Sequence, residues 1–252
     1  MGIPVIGCRC LVCSSTNVHN KRLRSSGLVD VGGKKILIDC GPDFRVQALK
    51  QGIDHIDGCL ITHLHHDHTA GIDDLRSLTL GKETTLPCFA SKETCDDLLI
   101  RFSYLFKSHS LRGASKIELK ELSDERGSFT LQNIPIKYMT FEQADVLVFG
   151  FRFGSFAYLS DIKTFPNTIF HDLEGIETLV VSALRYAPSK LHFSVDEAVD
   201  FARKAGAKMT YLTHISHELD YEQTNAYLPK NIQLAFDGLK LHFRMEANPQ
   251  LS

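Results

Sequence analysis

The densest chemistry in the sequence is Thr62-His63-Leu64-His65-His66-Asp67-His68, where four imidazoles and a carboxylate fall within six residues. A lone histidine is usually a hydrogen-bonded core or surface residue, but four nitrogen donors beside a carboxylate are what zinc, manganese or iron binds. In an extended chain side chains alternate, so His63 and His65 point to one side and can clasp one ion. Asp67 and His68, at the turn into a helix, can reach a second ion; His66 alternates away and reads as solvated or outer to the ligands. Two ions need more donors than this run holds, and distant strand ends offer them. Tyr158-Leu159-Ser160-Asp161 is an apolar strand ending in an aspartate that can bridge two cations, and Tyr211-Leu212-Thr213-His214 repeats the pattern with a histidine.

Cysteine is the second signal. Seven is an odd number, and Cys8, Cys10 and Cys13 crowd too closely for a disulfide framework, which favours metal. A thiol-redox reading of the same three is weaker, because Cys-x-Cys-x-x-Cys lacks the strand-helix setting of a redox pair. Cys40, Cys59, Cys88 and Cys95 lie in or beside apolar segments and read as small buried hydrophobes.

These residues need elements to position them. Ser26 to Val31 and Lys34 to Cys40 read as strands joined by Gly32-Gly33, a pair that accepts the positive φ of a tight hairpin. A helix from Asp43 to Lys50 precedes the strand Gly58 to Thr62, which delivers the histidine run from its C-terminal end. Further strands are expected at Leu86 to Ala90, Ser115 to Leu122, Ser128 to Met139, Val146 to Phe153 and Ser155 to Leu159. Strand and helix then alternate: Glu177 to Ser182, a helix from Val195 to Ala205, Lys208 to Thr213, a helix near Tyr221 to Leu228, and Ile232 to Phe236. Ser194 with Glu197 fits a capping box. Hairpins mixed with strand-helix units point to an α+β chain of sheets covered by helices.

No repeat, low-complexity tract or linker divides residues 1–252, so one domain is expected. The net charge of −2 over a 23% charged chain gives no global basic field to gather nucleic acid, and no apolar run reaches the roughly 20 residues that span a bilayer. Without a secretory pattern at the N-terminus, the cytoplasm is the default compartment.

His63-x-His65-x-Asp67-His68, followed in order by Asp161 and His214, resembles the signature of the metallo-β-lactamase superfamily. Gly7-Cys8-x-Cys10-x-x-Cys13 and Thr213-His214-Ile-Ser-His217 resemble its PhnP-like subfamily, the phosphoribosyl cyclic phosphodiesterases, over nearly the whole chain. The resemblance implies a four-layer αββα sandwich with metals at one edge, two divalent ions (Zn, Mn or Fe) in the active site and one structural zinc. It implies that Cys8, Cys10, Cys13 and His217 bind the structural zinc. It also implies hydrolysis of a small or cyclic phosphodiester through a metal-bridging hydroxide, with Asp67 orienting the nucleophile and His192 near the leaving group. Arg185, in Ser182-Ala-Leu-Arg185, is either a phosphate ligand or half of an exposed ion pair. The expected partner is a small-molecule phosphodiester, not a membrane or nucleic acid, and a homodimer is compatible with it.

The sequence departs from the subfamily twice. Where relatives carry a further ligand histidine, this chain reads Phe141-Glu-Gln-Ala-Asp-Val-Leu-Val-Phe-Gly150; anchoring on Gly150 places Gln143 there as the substitute ligand, with Glu142 and Asp145 as neighbours. Relatives also open with a strand and a Gly-Thr-Gly-Thr-Ser-type loop, whereas this chain begins Met1-Gly-Ile-Pro-Val-Ile-Gly7, so the first N-terminal strand is expected to be lacking. The competing functional readings are an RNase Z-like nuclease, normally equipped with an RNA-gripping arm, and a non-catalytic metal-binding scaffold.

Overall fold

Gly32 and Gly33 both take positive φ (59° and 81°) and close the hairpin between β1 (Gly27–Val31) and β2 (Lys34–Ile38), as the sequence leads one to expect. The computed structural model describes residues 2–80, 85–106 and 116–245. They fall into two compact units: Leu23–Asp124, and Met1–Arg22 together with Glu125–Ser252. Each unit is built on its own sheet.

The first unit carries five strands in the order β1-β2-β3-β4-β5, with β3 at Gly58–Leu60, β4 at Leu86–Ser91 and β5 at Ile117–Leu122. All pairings after the hairpin are parallel. The expected strand start at Ser115 lies outside the described residues. Leu37, Cys59, Ile61, Cys88 and Phe44 pack into one core, Phe44 from the helix Phe44–Gln51. That helix stops where Gly52 turns left-handed at φ 62°. A helix at Lys92–Arg101 has no counterpart in the sequence reading; Ser91 starts it, its Oγ accepting the Thr94 N–H. Cys40, Cys59, Cys88 and Cys95 are buried free thiols, as expected. Burial pushes the Cys40 thiol far up and Cys95 to about 12, which keeps both unreactive.

The second unit carries seven strands in the order β12-β11-β10-β9-β8-β7-β6. β6 (Arg126–Leu131), β7 (Ile134–Gln143), β8 (Val146–Phe153) and β9 (Phe156–Leu159) form an antiparallel meander. β10 (Thr178–Ser182), β11 (Met209–Thr213) and β12 (Ile232–Leu234) continue it in parallel. The single strand expected over Ser128 to Met139 is corrected to a hairpin. Gln132 and Asn133 break it at φ 52° and 64°, and the apolar alternation on either side conceals the turn. The helix Val195–Ala205 begins at the expected capping box, with Glu197 N donating to Ser194 Oγ and Ser194 N donating to Glu197 Oε2. Among the described residues before β1 there is no strand, only a bridge between Ile3 and Arg22. No helix among the described residues is long and apolar enough to cross a membrane.

Two glycines of the first unit are required by close approach. The tail of β2 grips the turn after the histidine run, with Cys40 N donating to His68 O and Gly71 N to Cys40 O. A Cβ on Gly41 would run into the Asp67 carbonyl oxygen, and one on Gly71 into the Gly41 carbonyl oxygen. Because both obstacles are backbone, Gly41→Ala is expected to destabilise by about 3 kcal/mol and lower Tm by ~10 °C in a thermal melt.

Candidate metal centres

In the five-stranded unit the site residues follow the C-terminal ends of parallel strands β2 and β3, the edge at which open α/β sheets bind ligands. Asp39, fully buried and left-handed at φ 61°, ends β2. Its Oδ1 accepts Thr62 N at 2.8 Å, and its Oδ2 accepts Thr62 Oγ1 at 2.9 Å and His68 Nδ1 at 2.7 Å. The single Thr62 hydroxyl proton goes to the carboxylate, so at 2.9 Å from His63 Nδ1 the hydroxyl oxygen must accept. Asp39 therefore places the proton of both His63 and His68 on Nδ1, leaving each Nε2 with a lone pair for a metal. His63 Nε2 and His65 Nδ1 stand 2.8 Å apart, two nitrogens aimed at one region as the alternation requires. Asp67 Oδ1 is 4.0 Å from His68 Nε2, and His66 is exposed.

In the seven-stranded unit Asp161 follows β9 and His214 follows β11, both left-handed (φ 59° and 53°). Non-glycine residues held there are uncommon, and such conformations collect at functional sites. Asp161 Oδ2 accepts Ser160 Oγ at 2.6 Å; Oδ1 lies 3.0 Å from Gln143 Nε2, 3.3 Å from His192 Nδ1 and 3.5 Å from His214 Nε2. Gln143 is the expected substitute ligand, and a glutamine ligates through its carbonyl oxygen; here its amide nitrogen, which has no lone pair to give, is the group turned to Asp161 and His192. Glu142 and Asp145 are exposed, and Gln143 is the buried member of the three. Arg185 is half-buried, and its guanidinium stands 3.8 Å from the Glu218 carboxylate.

The same unit assembles the cysteine cluster. Cys8, Cys10 and Cys13 Sγ lie 3.2, 3.5 and 3.5 Å from His217 Nδ1. Zn–S bonds of about 2.3 Å and a Zn–N bond of about 2.0 Å at tetrahedral angles would separate sulfur and nitrogen by about 3.5 Å. The donors therefore fit a tetrahedral ion. The Cys13 backbone N–H, donating to Sγ, holds the Cys10 thiol down at about 6, whereas burial raises Cys13. His217 is three residues beyond His214, so an ion here would tie down the loop that holds His214 in its left-handed backbone.

Asp39, Thr62 and Ser160 escaped the sequence reading. The signal available was an aspartate closing the apolar run Ile36-Leu37-Ile38, the pattern that did flag Asp161.

Comparison with known proteins places these clusters in context. A family model described as "Beta-lactamase superfamily domain" matches residues 34–215. The crystal structure of a diphosphatase from the PhnP family superposes with a TM-score of 0.91 at 40% identity, covering 97% of this chain and 93% of that one. An octanoyltransferase of Porphyromonas gingivalis is 34% identical over 244 residues, which is 95% of this chain and 49% of the relative, so the chain spans about half that protein's length. A ribonuclease Z of Methanopyrus kandleri is 25% identical over 257 residues, covering 86% of this chain and 90% of that protein.

Proposed function

The chain belongs to the beta-lactamase superfamily, in its PhnP-like branch, and has that family's hydrolase fold; from this premise we propose that it hydrolyses a small or cyclic phosphodiester with two divalent ions. The observation that carries the reading is the donor set, above all His63 and His68 held with Nε2 lone pairs by Asp39 and Thr62. The ligands we assign are His63, His65, Asp67 and His68 of the five-stranded unit and Asp161 and His214 of the seven-stranded unit, supported by their order along the chain. Bound divalent ions supply a lowered water pKa and neutralise charge on phosphate oxygens. Asp67, with a partly exposed carboxylate, orients the attacking water and accepts its proton. The diphosphatase relative supports a phosphorus ester or anhydride as substrate. Acyl transfer, named for a relative twice as long, is not part of the proposal.

Metal content by elemental analysis, paired with a bis(p-nitrophenyl) phosphate assay with and without manganese or zinc, tests this. About three ions per chain and metal-dependent turnover are expected, two catalytic and one structural. A single ion and no turnover under any metal overturns the reading. Likeness to ribonuclease Z over most of the chain favours a second reading, a nuclease; cleavage of structured RNA faster than of small diesters would establish it.

We assign the structural zinc to Cys8, Cys10, Cys13 and His217. Cys10→Ser is expected to lose one zinc per chain and about 3 kcal/mol, a fall of ~10 °C in Tm, with zinc content and melting measured together.

A further inference from the structure

Asp39 and Thr62 orient His63 and His68 through their ring nitrogens. His65 is aimed differently. It is half-buried and stands where extended backbone gives way to the short helix His66–Thr69, at φ −59° and ψ 148° with no side-chain cap. The nitrogen it turns to His63 is Nδ1, the one nearer its own main chain, so a shift of the backbone is carried to the donor almost undiminished. The two peptide carbonyls that flank His65 are Leu64 O and His65 O, and both are held from the end of the helix Lys92–Arg101, one directly and one through a single hydroxyl.

Arg101 closes that helix. Its Nη2 donates to Leu64 O and to Thr69 Oγ1, each at 3.0 Å. Thr69 is fully buried, and with its oxygen accepting from Arg101 it places its own proton on His65 O at 2.9 Å. His65 O also accepts His68 N at 3.0 Å, which ties the same carbonyl to the next ligand. Asp97 aligns the guanidinium one turn earlier: its Oδ2 accepts Nε at 2.6 Å and Nη2 as well. With one Nη2 hydrogen on Asp97, the other is left to be shared by Leu64 O and Thr69 Oγ1. Leu98, fully buried in one core with Leu37 and Ile61, seats the helix that carries the fork.

We propose that Arg101, aligned by Asp97, is a positioning residue: it fixes the peptide units on either side of His65 and so aims that ring at the region it shares with His63. The proposal rests on the hydrolase reading for what the centre is for and on this geometry for how His65 is held. Arginine suits the task because its charged, planar fork meets a carboxylate and the loop at once, where a lysine offers a single point charge.

Manganese separates the histidine centre from the cysteine cluster, because a hard ion prefers carboxylate and imidazole to thiolate. Mn²⁺ titration of the full-length protein, with free ion followed by electron paramagnetic resonance, tests the assignment; the site to follow is the one that His65→Ala loses. Arg101→Met, which keeps the stem and removes every N–H, is expected to weaken that site about tenfold. Its Tm should move by only a few degrees, since the side chain is 30% exposed. Thr69→Val should weaken the site to a similar extent, and the double variant should bind within about twofold of the weaker single, because both residues act on the same pair of carbonyls. A merely structural role for Arg101 would lower Tm and leave manganese affinity unmoved. Arg101→Lys, which keeps the charge without the fork, should recover part of the loss, and it carries the test if the methionine variant does not fold. Affinity within twofold of the parent in Arg101→Met, or losses that simply add in the double variant, overturns the proposal. Affinity that falls as expected in a protein with no diesterase activity under any metal leaves the positioning role standing and defeats the hydrolase reading instead.

Discussion

Asp161→Asn is expected to lower kcat/KM on bis(p-nitrophenyl) phosphate by about a thousandfold or more, equivalent to ~4 kcal/mol of lost transition-state stabilisation. Asparagine is the sharper probe than alanine, because Asp161 sits at φ 59° and asparagine tolerates the left-handed region that strains most residues. The shape stays while the charge goes. Oδ2 accepts Ser160 Oγ at 2.6 Å, whereas Oδ1 receives Gln143 Nε2 at 3.0 Å and faces His192 and His214. An asparagine amide turned to Gln143 would set two donors against each other; turned to Ser160, it would do the same there unless the hydroxyl rotates. Either way a neutral group stands where cations would be held. Metal content should fall with activity, whereas Tm should move by only a few degrees. Full activity with unchanged metal content would remove Asp161 from the centre and the diesterase reading with it.

Much of this arrangement could be read before any coordinates. The His63 to His68 run, the Gly32-Gly33 hairpin, the Ser194 and Glu197 cap and the four buried cysteines depend on local pattern, which a sequence displays directly. What escaped depends on contacts between distant residues. The Leu131 to Ile134 turn hides in unbroken alternation because Gln132 and Asn133 reach positive φ without a glycine. Gly41 and Gly71 are needed only because the tail of β2 and the turn after His68 pass each other backbone to backbone. The absence of a histidine from Phe141 to Gly150 is plain in the sequence, but only folding shows that Gln143 turns a donor, not an acceptor, toward Asp161.

The least legible residue of the candidate site carries the second large effect. Asp39→Ala is expected to destabilise by about 3–5 kcal/mol, since three buried donors, Thr62 N, Thr62 Oγ1 and His68 Nδ1, lose their acceptor at once and alanine adds strain at φ 61°. That corresponds to a fall of roughly 10–15 °C in Tm. Stability alone would not distinguish a scaffold residue from one that prepares a metal site, so Asp39→Asn is the informative partner. It tolerates the backbone and keeps one carbonyl acceptor, but it must aim an amide N–H₂ either at Thr62 N or at the Thr62 hydroxyl and His68. In the second orientation the His68 proton is driven from Nδ1 to Nε2, and the Thr62 hydroxyl, freed to donate to His63, permits the same shift there. Both imidazoles would then present N–H where a lone pair is needed. Manganese affinity should therefore drop 10–100-fold in Asp39→Asn even where its Tm is close to the parent's. A variant that melts lower but binds manganese as the parent does would show that Asp39 only holds the loop, and that His63 and His68 take their tautomers from the ion itself.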